Sequence, residues 1–220
     1  MARPKIAAVP SIRRLPSYLH TIRQLQSEDN KYISGTIIAQ ELNLEPIQVR
    51  KDLAITGIMG TPKRGYLVQD LIRAIERYLT WDSITKGVLV GVGNLGTALM
   101  GYSELKLHGL NLIAAFDQDP NKIGSLVHGI PVKSVASMEE EIRSLKVKIA
   151  ILTVPAGAAQ ETTDALIRGG IVGIWNFTNV KLKIPENVVV QKEDLSSGYA
   201  MLCVMMQAMY PEEAHAPRQE

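Results

Sequence analysis

The sequence predicts an α/β protein with an N-terminal winged-helix domain and a Rossmann-like, doubly wound parallel sheet. Residues 1–80 carry apolar residues at helical spacing between turn-forming segments. From Lys86 onward, short β-branched runs alternate with helical segments, as expected for parallel strands buried on both faces. Charge also differs along the chain: residues 1–80 hold 12 Lys and Arg against 7 Asp and Glu, and residues 81–220 hold 12 against 15. This asymmetry favours two domains with different partners.

The N-terminal domain is expected to span residues 1–80, with a helix-turn-helix at about residues 17–56. Its first helix should begin between Arg13 and Leu15, because proline, here Pro16, is tolerated best in a first turn. Ser34 is a plausible N-cap for the second helix, and Pro46 opens the third.

The rest of this domain is predicted as a ribbon and a fourth helix. The turn-rich stretch 57–66 can form a short ribbon, and Asp70 or a neighbour starts the helix. A domain boundary is expected near residues 80–86.

The second domain is expected at residues 86–192. Its predicted strands are Val88–Val92, Leu110–Phe116, Ile149–Val154 and Ile171–Phe177. Its predicted helices are Leu95–Leu107, Ser137–Leu145 with a capping box from Ser137 to Glu140, and Ala158–Arg168. A C-terminal dimerisation helix is assigned to residues 193–210, ended by Pro211 and followed by a disordered tail at 211–220.

A glycine-rich turn follows the first predicted strand and opens the next helix. It fits the pattern GxGxxG and consists of Gly91, Val92, Gly93, Asn94, Leu95 and Gly96. Such a turn lets a pyrophosphate approach the backbone at a helix N-terminus. The alternative is a purely structural turn, but the strand and helix around it favour a dinucleotide site.

An acidic residue stands where a ribose-binding carboxylate is expected. Asp117 ends the second predicted strand, about twenty residues after the last glycine. No arginine or lysine adjoins it in sequence, so the pattern favours NAD(H) over NADP(H). Two later loops follow strands at the same edge and are candidates to surround the nicotinamide; they contribute Thr153, Val154, Pro155 and Asn176.

No residue is an evident catalytic acid or base, and no segment remains for a separate substrate domain. The four histidines lie in a helix of the first domain, at a helix end, in a turn and in the tail. We therefore expect a protein that is not an enzyme. An NAD-dependent oxidoreductase with a helical oligomerisation domain stays open as an alternative, as does a DNA-binding regulator that senses a coenzyme A derivative.

The third helix has the composition of a DNA-reading helix. If Val49 and Leu53 face inward, then Gln48 and Lys51 point outward and Arg50 lies on the flank. Lys63 and Arg64, in the following ribbon, would form a wing on the DNA backbone. A solvated helical face in an oligomerisation domain is the alternative interpretation of the same pattern.

Together these motifs resemble the Rex family of redox-sensing transcriptional repressors over nearly the whole chain. The matching stretches are Arg14-Leu15-Pro16, Val49-Arg50-Lys51-Asp52, Gly91 to Thr97, Ala115-Phe116-Asp117, Lys122-Ile123-Gly124, Ala150 to Pro155 and Asn176-Phe177-Thr178. The resemblance implies a homodimer with an exchanged C-terminal helix. It also implies NADH and NAD⁺ as ligands, release of palindromic operator DNA by NADH, and Arg14 as a further DNA-binding residue.

The resemblance further implies a sensing network of Tyr102, His20 and Asp194. The family often has an arginine where this chain has His20, so a histidine here could add pH sensitivity. The segment Ala54–Gly57 also departs from the family pattern, as does the wing. The operator preference therefore cannot be transferred from the family.

Composition limits the remaining possibilities. One cysteine excludes an intramolecular disulfide framework, and four scattered histidines form no recognisable metal site. No apolar run is long enough for a membrane span, and no apolar segment follows the basic N-terminus as in a signal peptide. We expect a soluble cytoplasmic protein without a membrane partner.

Overall fold

The computed structural model describes residues 9–26 and 31–210, which divide into two compact units. The first unit combines the described part of Met1–Thr85 with Ser103–Asn111, and the second combines Lys86–Tyr102 with the described part of Leu112–Glu220. The segment 103–111 therefore belongs to the first unit, although the sequence suggested the second. The predicted domain limits otherwise stay predictions.

Within the described residues, helices and strands alternate as follows. Helices α1–α9 span Val9–Gln24, Gly35–Glu41, Pro46–Ala54, Val68–Tyr78, Asn94–Met100, Ser103–Leu107, Met138–Leu145, Ala159–Gly169 and Ser196–Met209. Strands β1–β9 span Tyr32–Ile33, Tyr66–Leu67, Thr85–Val90, Leu110–Asp117, Leu126–Val127, Ile130–Ser134, Ile149–Leu152, Gly173–Asn176 and Val189–Lys192.

The first helix begins earlier than predicted. Helix α1 already includes Val9, and Pro16 lies in its interior rather than in its first turn. A proline there removes one backbone hydrogen bond, but Leu15, Leu19 and Ile22 are fully buried on either side of it. Burial of this apolar face outweighs the lost hydrogen bond, so the predicted start was wrong.

The other N-terminal signals are confirmed or corrected by local geometry. The Ser34 hydroxyl accepts a hydrogen bond from the Ile37 amide and caps α2, and Pro46 begins α3. The expected ribbon is only partly local: β2 pairs antiparallel with the distant β1, and a bridge from Thr61 to Gly65 closes a tight loop before it.

The second unit is built on a seven-stranded sheet in the order β5-β6-β4-β3-β7-β8-β9. Strand β3 pairs parallel with β7, β7 with β8, and β8 with β9, whereas β5 and β6 form an antiparallel pair at one edge. The C-terminal parts of the central strands, residues 87–90, 114–117 and 150–152, are buried, as their apolar sequences require. The two short strands β5 and β6 and the edge strand β9 are additions to the predicted sheet.

Two predicted helical features are wrong. The segment Leu95–Leu107 is two helices, because α5 ends at Met100 and α6 begins at Ser103. The capping box at Ser137 does not form. A 3₁₀ turn at Val135–Ser137 precedes α7, so the Ser137 hydroxyl donates to the carbonyl oxygen of Ser134 instead.

The last helix, α9, leaves all of its side chains exposed. The predictions that Pro211 ends it and that the tail is disordered lie outside the described residues. Across residues 9–26 and 31–210, no helix has both the length and the hydropathy that crossing a bilayer requires. In the same residues, no three His, Cys, Asp or Glu side chains are placed to share a metal ion.

Candidate nucleotide site and candidate DNA interface

The glycine-rich turn lies at the point where the strand order of the sheet reverses. Strand β3 has β4 on one side and β7 on the other: the chain runs from β3 to β4, β5 and β6 on one side, and then crosses from β6 to β7 on the other side. Ligands of doubly wound sheets bind beside such a point, outside the carboxyl ends of the strands. The segments there are the turn after β3, the end of β4 and the loop after β7.

Gly91 and Gly96 make the turn compact. Gly91 has a φ of +99°, and an added Cβ would lie 2.8 Å from the backbone carbonyl of Thr153. An added Cβ at Gly96 would overlap the Gly91 carbonyl oxygen. The Thr153 hydroxyl donates to the carbonyl oxygens of Val90 and Gly91 at 3.0 and 2.8 Å. These contacts fix the turn against the β7 loop, so a side chain at either glycine would disturb the fold itself.

Gly93 differs from its neighbours because the space beside it is open. Among the described residues, apart from its chain neighbours and the backbone of its own helix, none has an atom within 4 Å of an added Cβ, and Gly93 is exposed at the start of α5. Within the part of the chain that the structure describes, no side chain caps this helix, so its first backbone amides are available to an external acceptor. An open backbone surface next to available amides fits the phosphates of a dinucleotide.

Asp117 is buried at the end of β4, and its carboxylate is already engaged. Its Oδ2 accepts the Val92 amide at 2.7 Å, and its Oδ1 accepts the Asp119 amide at 2.9 Å. Burial raises the pKa of Asp117, but these amides and the Lys122 ammonium outweigh it, and the pKa lies below its usual value. The group is therefore an ionised carboxylate that also holds the glycine-rich turn in place.

No arginine or lysine adjoins Asp117 in sequence, but a lysine lies beside it in space. Lys122 is not adjacent in sequence, but the turn after β4 brings its Nζ to 3.4 Å from Asp117 Oδ2. The sequence argument considered only immediate neighbours, whereas a turn of five residues returns the chain to the strand end.

The remaining predicted cofactor residues follow β7 and β8. Val154 and Pro155 continue the loop that packs on Gly91, and Pro155 is exposed. Asn176 is paired in register with Leu152, but its buried side chain serves its own loop. Its Oδ1 accepts from the amide and hydroxyl of Thr178. The carbonyl oxygen of Asn176 is engaged as well, because it accepts the Glu193 amide at 2.9 Å.

The predicted sensing residues lie on different units. Tyr102 is 55% exposed directly after α5, and Asp194 is exposed before α9, both in the second unit. The carboxylate of Asp194 accepts from the Ser196 hydroxyl and amide, which lowers its pKa. His20 is exposed on α1 in the first unit. The network between these three residues stays a prediction.

The third helix presents part of the predicted DNA-reading surface. Val49 and Leu53 are fully buried, and Arg50 and Lys51 are exposed. The Arg50 stem lies over Gly35, since an added Cβ there would be 3.3 Å from Arg50 Cγ. Two cations are thus displayed on α3 beside the start of α2.

Two other predicted DNA-binding residues are engaged inside the first unit. The carboxylate of Asp52 is fully buried and accepts from Arg14 Nε at 2.7 Å and Nη2 at 3.0 Å. It also accepts from the Tyr18 hydroxyl at 2.6 Å and from Gln48 Nε2 at 2.9 Å. Arg14 and Gln48 therefore tie α3 to α1, although about a third of the Arg14 side chain stays exposed.

The electrostatics of this cluster are those of a buried, neutralised ion pair. Burial raises the pKa of Asp52, but the hydrogen bonds from Arg14, Tyr18, Ser11 and Gln48 outweigh it, and the pKa falls well below its usual value. Burial and the neighbouring carboxylate raise the pKa of Tyr18 to about 12. The cluster joins the two motifs Arg14-Leu15-Pro16 and Val49-Arg50-Lys51-Asp52 in space.

The wing residues lie in the tight loop before β2. Lys63 and Arg64 are exposed, and Lys63 has a φ of +64° at the loop tip. Gly65 returns the chain so closely that an added Cβ would overlap the Ile33 carbonyl oxygen. The Arg64 guanidinium lies 5.6 Å from the centre of the Tyr32 ring, a cation–π contact that holds it at the loop.

Sequence reasoning missed three contributors to these sites, namely Tyr18, Asp52 and Lys122. The spacing of Gln48 and Asp52, four residues apart on one helix, was an available signal for the first cluster. The stretch Lys122-Ile123-Gly124 was noticed only as part of a resemblance, without a role.

Comparison with known proteins supports the division into two parts. A family model described as "Putative DNA-binding protein N-terminus" matches residues 6–54, and one described as "CoA binding domain" matches residues 82–180. The chain is 56% identical over 206 residues to the redox-sensing transcriptional repressor Rex of Treponema denticola, covering 94% of this chain and 98% of that protein.

Solved structures agree with the fold. The crystal structure of RSP in complex with β-NAD⁺ and operator DNA is 32% identical with a TM-score of 0.85, covering 94% of this chain and 95% of that chain. The structure of RSP in complex with β-NADH is 31% identical with a TM-score of 0.84, covering 94% and 97%. The predicted fold class is thereby confirmed, although exchange of the last helix is not. At 56% identity over nearly its whole length, the chain belongs to the Rex family of redox-sensing transcriptional repressors.

Proposed function

We propose that this protein is a transcriptional repressor that binds operator DNA through its first unit and releases it when NADH binds its second unit. The observation that carries this proposal is the open backbone at Gly93, next to the buried carboxylate of Asp117. In the same chain, Arg50 and Lys51 are displayed on a helix that follows a short turn. The related RSP has been crystallised with β-NAD⁺ and operator DNA together, and with β-NADH.

Different residues of the second unit would bind different parts of the dinucleotide. The amides at the start of α5 would hold the pyrophosphate, and Asp117 would accept hydrogen bonds from the ribose hydroxyls. The loops after β7 and β8, with Thr153, Val154, Pro155 and Asn176, are the proposed surroundings of the nicotinamide. The nicotinamide ring is neutral in NADH and cationic in NAD⁺. This difference in charge would let the site distinguish the two ligands.

The residues of the first unit carry the DNA contacts. Arg50 and Lys51 would enter the major groove, and Lys63 and Arg64 would contact the neighbouring backbone. Arg14 and Gln48 act through the Asp52 cluster, which sets the position of α3. Arg14 keeps enough exposure to reach a phosphate as well.

The functional assembly is proposed to be a homodimer in the cytoplasm. Helix α9 exposes an apolar surface that includes Leu202, Met206 and Met209, and a second copy of this chain would cover it. Two α3 helices related by a twofold axis would meet a palindromic operator in half-sites roughly 34–36 Å apart. The proposed link between the bound nicotinamide and the distance separating the two α3 helices is the network of Tyr102, His20 and Asp194.

The test is a gel shift on a palindromic operator fragment, selected from random DNA by the purified protein. We expect NADH to release the wild-type protein. Gly93→Val should keep operator binding and lose release by NADH, because its side chain occupies open space where the phosphates would lie. Gly93→Ala should show a smaller defect in the same assay.

Two results would contradict the proposal. One is release of the folded Gly93→Val variant by NADH at the wild-type concentration. The other is release of the wild-type protein by an acyl-coenzyme A but not by NADH, which would identify a different nucleotide as the ligand.

A further inference from the structure

The carboxylate of Asp117 has limited capacity left for a ligand. Each of its oxygens already accepts one backbone amide, from Val92 and from Asp119. A carboxylate oxygen has two lone pairs, and Oδ2 also accepts from Lys122 Nζ at 3.4 Å, so Oδ1 retains one acceptor position and Oδ2 gains one when Lys122 turns away. Asp117 can therefore still accept one hydroxyl of a ribose while holding the glycine-rich turn, and can accept the second in place of Lys122.

The backbone hydrogen bonds of the turn after β4 hold Lys122 beside this carboxylate. The amides of Lys122 and Ile123 donate to the Asp119 carbonyl oxygen at 3.0 and 3.2 Å. Gly124 then takes a φ of +85°, and its amide donates to the Val132 carbonyl oxygen at 2.8 Å. This turn directs the side chain of Lys122 back to the end of β4.

The ammonium of Lys122 lies between two carboxylates. Its Nζ is 3.4 Å from Asp117 Oδ2 and 3.8 Å from Asp119 Oδ2, and the side chain is 37% exposed. The charge at the ribose position is therefore not that of a lone carboxylate, because a cation with three donors adjoins it. A carboxylate alone repels a 2′-phosphate, whereas an adjacent ammonium attracts one.

We propose that Lys122 is a specificity-determining residue of the dinucleotide site. It reduces the discrimination that Asp117 exerts against a 2′-phosphorylated ribose, so that the preference for NADH over NADPH is smaller than the carboxylate alone would give. This inference rests on the proposed function, because it needs a dinucleotide whose ribose lies at Asp117.

The experiment is a titration of the full-length protein with NADH and with NADPH, followed by dihydronicotinamide fluorescence. Lys122→Met keeps the length of the side chain and removes its charge. The ratio of Kd for NADPH to Kd for NADH should rise about tenfold, because loss of one nearby cation disfavours the extra phosphate. Added salt should reduce NADPH affinity more steeply in the wild type than in this variant.

Two matched variants separate position from total charge. Lys122→Arg keeps a cation at the turn and should keep the wild-type ratio. Lys148→Met removes the same charge from an exposed lysine just before β7, at the edge of the sheet opposite the strand ends, and should leave the ratio unchanged. Circular dichroism checks that each variant retains the wild-type secondary structure.

The outcomes distinguish this inference from the proposed function. A higher ratio in Lys122→Met alone supports it. An unchanged or lower ratio, with NADH still binding and releasing operator, overturns the role of Lys122 and leaves the repressor function intact. Failure of the wild type to bind either dinucleotide overturns both.

Discussion

Removing the charge of Asp52 is the sharpest test of how the first unit holds its DNA-reading helix. In Asp52→Asn the side chain keeps its shape, but one carboxylate oxygen becomes an NH₂ group. Either oxygen accepts two donors, Arg14 Nε and the Tyr18 hydroxyl at Oδ2 or Arg14 Nη2 and Gln48 Nε2 at Oδ1. Both donors would then face another donor or lose their partner inside the protein.

The expected loss follows from burial and from the number of donors. Removing one partner of a buried ion pair destabilises by about 3–5 kcal/mol. Asp52 is fully buried, whereas about a third of the Arg14 side chain is exposed and can turn to water. We therefore expect the lower end, about 3 kcal/mol of unfolding free energy. Tyr18→Phe removes a single hydrogen bond to a charged group and should lower it by about 1.5 kcal/mol.

Urea unfolding followed by tryptophan fluorescence measures this loss in the first unit. The chain has two tryptophans, so a Trp175→Phe background leaves Trp81, which stacks on His108 at 3.8 Å, as the reporter. The double variant of Tyr18 and Asp52 should lose less than the sum of the single losses, because both remove one shared hydrogen bond. In Asp52→Asn the affinity for operator DNA should fall, because α3 loses its fixed position. The affinity for NADH should not change.

A small effect would refute this account. The free energy of unfolding of Asp52→Asn could lie within about 0.5 kcal/mol of the wild-type value, as expected for an ordinary surface site. In that case the cluster does not hold α3 in place. Additive losses in the double variant would likewise show that Tyr18 and Asp52 do not share a hydrogen bond of consequence.

Three further results are expected. Stability should fall as pH rises from about 10 to about 12, because burial beside Asp52 raises the pKa of Tyr18 to about 12 and favours its neutral form, and urea unfolding of Tyr18→Phe should lack this loss. Replacing both Arg50 and Lys51 by alanine should abolish operator binding in gel shifts and leave NADH titrations unchanged; retained operator affinity, or wild-type binding that ignores salt, would contradict the DNA interface. Saturating operator should weaken NADH binding by the factor by which NADH weakens operator binding, and equal NADH affinities with and without operator would exclude the redox switch.

The elements around the nucleotide site were largely predictable from the sequence. A buried strand followed by Gly91 to Gly96 leaves few backbone arrangements, because two of the glycines meet other backbone at distances that exclude a side chain. Asp117 was found by its position at the end of the next strand. These features depend on residues that are close together in the sequence, and sequence patterns describe such residues well.

Features that depend on distant partners were not predictable in the same way. Arg14 and Gln48 had the composition of DNA-binding residues, but a buried carboxylate on α3 engages both. Strand β9 is exposed along most of its length at the edge of the sheet, so its sequence lacks the continuous apolar pattern of the central strands. The close approach of the His128 ring to Gly101 likewise joins residues that are 27 positions apart in the sequence.

The inclusion of Ser103–Asn111 in the first unit makes that unit discontinuous in sequence. The chain passes from one unit to the other three times, after Thr85, after Tyr102 and after Asn111. During synthesis the first unit cannot be completed until the glycine-rich turn and α5 have already left the ribosome. A fragment that stops at residue 85 would leave Trp81 without the ring of His108. A single proteolytic cut cannot isolate the first unit alone, because a cut after Thr85 leaves Ser103–Asn111 on the second fragment and a cut after Asn111 leaves residues 86–102 on the first.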